Sequence, residues 1–384
     1  MKIADFVSVN KKSLNGRYAK KKVPIIRVVE DYIAGDIDLK VDTFAELLKH
    51  KHEIFEFKFV SSHYRFFLTK FLPQVIIHSK AQDTRIAQDH YDIGNDFFNW
   101  FLGPYMVYTS GIYKTGKETL EQAQQNKIDL IAEKINLKKG DKMLDIGCGW
   151  GTLLYNSAKK YGARVTGVTI AEQGYQYITE QIKKQKLEGK VDVLKIDYRD
   201  IPKQKYDKIT CVEMAEHVGV KNFNKFMKQI YNLLDDDGIY YQQVAGLKSG
   251  LWNMESLVWG LFMNKYIFPG ADASMPLKWY IKKLENAGFE VRSVETVGIH
   301  YSNTLNQWHQ NWLKNKQHVL KAYNAYWFRL WDAFLAWSTQ IAAEGHATCY
   351  QIVAHKNKPG FNRRQFIGKP ALTHEQPLWK GKKK

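Results

Sequence analysis

Between Lys142 and Gly151 the chain reads Lys-Met-Leu-Asp-Ile-Gly-Cys-Gly-Trp-Gly. An apolar run, Met143 to Ile146, ends in Gly147, Gly149 and Gly151, three glycines at alternate positions. Glycines in a turn let the backbone approach a ligand closely. Asp145 lies inside the apolar run, where a buried carboxylate needs a partner. The expected partner is a cationic or hydrogen-bonding ligand laid across the glycines. The spacing differs from GxGxxG, in which the glycines cradle a pyrophosphate.

Written as DxGxGxG, the motif has the form used by S-adenosylmethionine (SAM) methyltransferases. The glycines would admit the methionine part of SAM, and the carboxylate suits its ammonium group. Later strand ends carry residues fit for the rest of that molecule. The second strand runs into Gly167-Val-Thr-Ile-Ala-Glu-Gln173, where Thr169, Glu172 or Gln173 could hold the ribose hydroxyls. For Glu172 alone, a solvated helix start is an equal account. After the third strand, Ile196-Asp-Tyr-Arg-Asp200 sets Asp197 to accept the adenine amino group and Tyr198 to cover the ring. After the fourth, Cys211-Val-Glu-Met-Ala-Glu-His-Val-Gly219 aims Glu216 or His217 at the reacting methyl. A lone loop histidine is more often structural. Two aromatic stretches, His90–Phe98 and Tyr105–Tyr113, supply rings such as Tyr108 for a loop over the cofactor. Such faces hold a sulfonium or carbocation with roughly 0.5 to 2 kcal/mol each; ordinary aromatic core is the alternative.

The elements that must position these residues follow from periodicity. Strand candidates at 142–146, 165–169, 191–196, 208–212 and 238–244 alternate with helices such as 174–185 and 222–233. That alternation implies an α/β fold: a doubly wound, Rossmann-like class I SAM methyltransferase sheet, with helical N-terminal and lid additions. Ligands then sit beyond the carboxyl ends of the strands. Residues 1–80 form a basic N-terminal leader or helical region, and 81–358 the methyltransferase domain. A lid spans about 247–345, with an aromatic insert at 251–268. Residues 276–300 add a helix and strand, 310–341 are helical, and 348–355 form a last strand. The basic tail, 359–384, is expected to be disordered.

The 384 residues carry 57 Lys and Arg against 39 Asp and Glu, a net charge of +18. Such a surface attracts polyanions, either nucleic acid or an anionic membrane. No nucleic-acid fold signature accompanies the charge. The cysteines, Cys148, Cys211 and Cys349, have no CxxC spacing, which suits a reduced intracellular compartment. No metal site is expected. No signal peptide is recognised, and no apolar run approaches the roughly 18–20 residues of a spanning helix. Membrane contact is therefore expected to be peripheral, at the cytoplasmic face.

The segments HYDIGNDFF (90–98), YTSGIY (108–113), LDIGCGWGTL (144–153), EMAEHVG (213–219) and FPGADAS (268–274) resemble the cyclopropane fatty acid synthase superfamily of SAM methyltransferases. MVYTSGIY, DYRDIP, ITCVEMAEHVG, GLFMNKYIFPGADAS and ATCYQI extend the likeness to the sphingolipid C-9 methyltransferases of fungi, over about residues 60 to 365. The resemblance implies that a lipid alkene attacks the methyl of SAM and becomes a carbocation, with Tyr108 and Thr109 closing over SAM. Ring-forming members then remove a proton from the new methyl with a bicarbonate held by a cysteine, a histidine, a glutamate and a tyrosine. Here Glu216 matches the glutamate, but Ser110 replaces the cysteine, Gln242 the histidine and Phe334 the tyrosine. Those losses weaken the case for bicarbonate and for ring closure, and favour a methyl branch. Gln173 falls one residue before the family's glutamine. The implied activity is C-methylation of an unsaturated lipid, foremost the sphingoid alkene of ceramide or glucosylceramide, with Glu216 as base or its orienter and a lipid-binding lid at about 247–345. The rivals are a cyclopropane-fatty-acyl-phospholipid synthase, a small-molecule N-methyltransferase and a non-catalytic lipid-binding protein. Pairing of two copies as a homodimer is left open.

Overall fold

Seven strands share one sheet in a computed structural model that describes residues 1–66, 68–69, 80, 85, 93–247, 253–270 and 275–367. They are β1 (Lys142–Ile146), β2 (Arg164–Thr169), β3 (Val191–Lys195), β4 (Tyr206–Val212), β5 (Leu234–Leu247), β6 (Phe289–Thr296) and β7 (Ala347–Lys356). Their order is β6-β7-β5-β4-β1-β2-β3. The pairings from β5 through β3 are parallel, and β7 runs antiparallel between β5 and β6. The strand order reverses at β1, where chain connections leave to opposite sides. A crevice opens there beyond the carboxyl ends of β1 and β4.

Central strands covered on both faces need apolar residues on both. Met143 packs on one side with Leu154, Ala158 and Ile182; Leu144 and Ile146 pack on the other with Phe226 and Ile230. The helices that matter below are α1 (Ile25–Ala34), α2 (Asn95–Leu102), α3 (Leu120–Lys134), α4 (Thr152–Tyr161), α5 (Glu172–Lys184), α6 (Phe223–Leu233), α7 (Met254–Phe262), α8 (Gly298–Lys314) and α9 (Ala325–Ala343). Helix α3 starts at a reciprocal cap: Thr119 Oγ1 accepts from Gln122 N at 3.3 Å, and Gln122 Oε1 accepts from Thr119 N at 2.9 Å.

A second core lies outside the sheet. Val258 and Phe262 of α7, Trp308 and Trp312 of α8, and Trp331 and Trp337 of α9 are buried with Ile26, Val29 and Phe44 of the N-terminal region. Residues 1–66, within the stretch 1–80 expected as a basic leader or helical region, pack into the helical layer. Polar ties fix them there. Tyr32 Oη donates to Asp332 at 2.8 Å, and the other Asp332 oxygen lies 2.6 Å from His309 Nε2. Lys51 Nζ lies 2.9 Å from Glu255 on α7 and 2.7 Å from Glu344, just after α9.

The insert continues from α7 through a wide π turn, Met263–Ile267, to Pro269-Gly270. Strand β5 starts at Leu234, ahead of the expected 238, because Leu234 pairs with Tyr206 before a register shift that passes over the acidic stretch to Ile239. The tail's first residues are ordered: Phe361 stacks on His355 at 3.7 Å, and Arg363 Nε donates to Glu290 at 2.9 Å. Residues 368–384, His90 to Asp92, Leu251, Trp252 and Ala271 to Ser274 lie outside the described residues. All three cysteines are buried. No helix among the described residues is long and apolar enough to cross a membrane.

Candidate active site

The crevice at the ends of β1 to β4 holds a cavity of about 220 Å3. Gly147 turns its wall with φ +80°, and a Cβ there would meet Met214 Cβ at 2.6 Å. Gly149, at φ +55°, has no atom within 4 Å of where its Cβ would project. That is room for a ligand. Gly151 does different work. It caps α4, outside the wall, and a Cβ there would lie 2.6 Å from Tyr155 Oη.

Asp145 lines the cavity at 3% exposure and accepts from Thr210 Oγ1 at 2.6 Å. Burial pushes its carboxyl up to about 6, against the Thr210 hydrogen bond and the charge of Lys127. The partner expected from a ligand is therefore partly supplied by the chain. Lys127, on α3, is buried in the same wall with its ammonium against Thr109 Oγ1. Burial lowers it to about 8, while Glu213, Cys349 and Asp145 favour its charge. No local signal in the sequence marks Lys127 as a wall residue.

Thr169 ends β2 in the wall, its Oγ1 accepting from Ala171 N at 3.2 Å. Gln173 and Glu172 lie outside the wall, because α5 begins at Glu172 and its first turn carries both away from the strand end. Only Gly174 returns; a Cβ there would lie 2.9 Å from Gly149 O. Asp197 and Tyr198 are in the wall. Asp197 Oδ1 accepts from Arg199 N at 2.9 Å and Nε at 2.6 Å, and Oδ2 from Nη2 at 2.6 Å. Burial opposes its charge, but the Arg199 bonds hold the carboxyl below its ordinary range. Arg199 also lies 5.0 Å from the Tyr198 ring centre. This arginine, absent from the sequence expectations, fixes both nucleoside-side residues.

An apolar cavity of about 140 Å3 adjoins the first. The insert gives it Trp259 and Met263, α8 gives Leu305 and Trp308, and α9 gives Phe334 and Ser338. Tyr108, Glu213, His217 and Phe268 line both cavities. Tyr108 sits among rings, 5.4 Å from Phe101, 5.4 Å from Trp308 and 5.9 Å from Phe268. His217 meets Phe268 edge-on at 6.3 Å.

Glu216 lies on a one-turn helix after β4 and faces the apolar cavity. Its Oε1 accepts from Ala245 N at 2.5 Å, and its Oε2 has no hydrogen-bond partner among the described residues. Burial, and then the charge of Glu213, push its carboxyl up to about 8. At neutral pH the protonated form prevails. Three residues earlier in the same motif, Glu213 went unassigned in the sequence. Its Oε1 accepts from Ser110 N at 3.0 Å and Gln243 Nε2 at 2.6 Å. Its Oε2 accepts from Tyr301 Oη at 2.8 Å.

Ser110 and Gln242 do not face either cavity. Ser110 Oγ donates to Gly111 O at 3.0 Å, so only the backbone of Ser110 serves the site. Along β5 side chains alternate between faces. Gln242 therefore shares a face with Tyr240, whose Oη donates to it at 2.9 Å, and Gln243 reaches Glu213 instead. Phe334 is in the wall. The phenol that its position lacks comes from Tyr301, on a different helix.

The family model described as Mycolic acid cyclopropane synthetase matches residues 78–352. A sphingolipid C9-methyltransferase of Komagataella phaffii is 45% identical over 377 residues, covering 95% of this chain and 77% of the relative. The sphingolipid C9-methyltransferase A of Emericella nidulans is 47% identical over 353 residues, covering 91% of this chain and 68% of the relative. The cyclopropane synthase MmaA2 of Mycobacterium tuberculosis superposes with a TM-score of 0.68 at 22% identity, over 71% of this chain and 98% of that one.

Proposed function

The chain belongs to the mycolic acid cyclopropane synthetase family, and from that premise we propose that it adds a methyl branch to carbon 9 of the sphingoid base of a ceramide or glucosylceramide. It is an S-adenosylmethionine-dependent methyltransferase. The substrate assignment rests on relatives at 45% and 47% identity that are named for this reaction. One observation in the molecule carries it: an apolar cavity meets the cofactor cleft through the shared wall of Tyr108, Glu213, His217 and Phe268. An aliphatic chain threaded through that cavity would bring its alkene to the wall.

The cleft fits SAM. Asp145 offers a buried carboxylate for the ammonium group, Gly147 and Gly149 leave space for the methionine part, and Thr169, Asp197 and Tyr198 flank the nucleoside side. Bound there, SAM supplies an electrophilic methyl group. The chain's own residues orient the alkene, exclude water and stabilise the positive charge that the lipid acquires. Tyr108, Phe268 and Trp308 do this with ring faces. Bicarbonate does not fit: Ser110 and Gln242 turn away from both cavities, and Ser110 N, Gln243 Nε2 and Tyr301 Oη are taken by Glu213. This favours a branch over a ring.

The net charge of +18 supports work at an anionic membrane surface, each Lys or Arg near such a surface contributing about 1 kcal/mol. The test is incubation of the purified protein with SAM and a Δ8-unsaturated glucosylceramide or ceramide. A product one CH2 heavier that keeps its double bond by NMR supports the reading. A cyclopropane signal would assign ring formation instead, and activity on an amine alone would assign N-methylation. Absence of any product would sink the lipid assignment.

A further inference from the structure

We propose that Glu213 is the base that takes the proton from the methylated lipid cation. The proposal deepens the reading above and rests on its premise that the acceptor is an alkene. Glu213 is in the wall of both cavities, where the methyl donor and the alkene must meet. Its backbone has φ +54°, a conformation that favours glycine, and a non-glycine residue held there is strained. The bond from its N–H to Gln243 O, 2.8 Å, helps to hold that conformation. Four donors then fix the carboxylate: Ser110 N, Gln243 Nε2, Tyr301 Oη and, at 3.7 Å, Cys349 Sγ. They come from the loop before α3, from β5, from α8 and from β7. No helix or strand requires a carboxylate at this point, yet four separate segments converge on it.

The count of lone pairs leaves capacity for one more donor. A carboxylate oxygen has two acceptor directions. Oε1 takes two N–H groups and the longer Cys349 thiol contact, whereas among the described residues Oε2 takes only the Tyr301 hydroxyl. Glu216, the other acid in reach, holds Ala245 N with Oε1 and is protonated at neutral pH, so its open Oε2 carries no charge to take the proton.

The step balances as follows. Methylation at C9 uses the alkene π pair and leaves the positive charge on C8. The C9–H bond breaks and its electron pair forms the C8=C9 π bond. The proton passes to the open lone pair of Glu213 Oε2 and later to solvent. The lipid leaves as a branched alkene, without a bound anion taking part.

Glu213→Gln keeps the size of the side chain and removes its basicity. Positioned proton transfer contributes about 10²- to 10⁴-fold, so turnover of the sphingolipid should fall by about 100-fold or more. S-adenosylhomocysteine should still bind by calorimetry, because the amide keeps the size of this shared wall residue and Asp145, Thr169, Asp197 and Tyr198 are unaltered. Glu213→Gly suits the backbone and opens a space, so added formate or bicarbonate should restore turnover to it and not to Glu213→Gln. A second readout needs no turnover. A sphingoid-length chain with an internal dimethylammonium group mimics the cation, and Glu213→Gln should weaken its binding about tenfold or more, as loss of a close counter-charge does. The uncharged analogue should bind as before. Glu213→Gln that binds S-adenosylhomocysteine and turns over within about threefold of the parent would overturn the proposal. So would loss in Glu213→Gly that no small acid rescues. If the unaltered protein methylates no sphingolipid, the function reading fails instead. The ammonium contrast still decides whether Glu213 faces a cation.

Discussion

In the cofactor cleft, four successive strand ends supply most of the wall, from Asp145 near the end of β1 to Glu213 after β4. In the acceptor cavity, the wall comes from Tyr108, the β4 loop, the end of β5, the insert, α8, α9 and the start of β7. The first site is a property of the sheet, whose order reversal makes a crevice wherever such strands are laid. The second is a property of helix packing against the N-terminal region. It exists only while Trp308, Trp337 and their neighbours are held together. A change in one site should therefore spare the other, unless it touches the four shared residues.

The largest expected effect breaks the acceptor side from a distance. Lys51→Met removes the cation between Glu255 and Glu344, and an uncompensated buried carboxylate costs about 3–5 kcal/mol. Denaturant unfolding should report that loss. The KM for lipid should rise because α7 is pinned through Glu255, while S-adenosylhomocysteine affinity should change little. On the cofactor side, Asp145→Asn removes a charged acceptor worth about 1.5–3 kcal/mol, or roughly 10- to 150-fold in SAM affinity. Calorimetry should show that loss with an unaltered lipid KM. Equal loss on both sides in either variant would refute the separation.

Acidity gives a finer division. Asp145 titrates near 6, so SAM affinity should fall towards tenfold per pH unit below that point as the carboxylate is neutralised. Glu216 acts on the fold in the opposite sense. Its folded-state value, about 8, lies above the ordinary 4.5, so the folded protein keeps a proton that the unfolded chain releases. Its contribution is most favourable below 4.5 and declines as pH rises to 8, which thermal unfolding across that window would detect. The smallest effect is expected from Phe334→Tyr. A hydroxyl added to the apolar wall without a partner costs about 1 kcal/mol, so lipid KM should rise a few-fold with SAM binding unchanged.

The same contrast explains what could be read from the residues alone. Asp145, Gly147, Gly149, Thr169, Asp197 and Tyr198 stand at strand ends, and alternating periodicity is enough to put them there. Gly151 and Gln173 belong to the adjoining helix starts, where one residue of rotation decides whether a side chain faces the cleft. On the acceptor side, Ser110 and Gln242 mark positions where ring-forming relatives carry anion ligands. Strand alternation hands the contact to Gln243, and Ser110 contributes only its N–H. Tyr301 and Lys127 are invisible locally, since each reaches the wall from a helix whose pattern looks like ordinary packing. Glu213 had a local sign, an acid three residues before Glu216 in one motif, but not its positive φ.

The wall shared by Tyr108, Glu213, His217 and Phe268 has a thermodynamic consequence. A partition whose side chains line both cavities cannot be ordered by a ligand on one face without being ordered on the other. Whatever factor the bound nucleoside contributes to lipid affinity, the bound lipid must return to the nucleoside. Product release inherits that linkage: the departing methylated chain loosens the spent cofactor by the same ratio, so the two leave as thermodynamic partners.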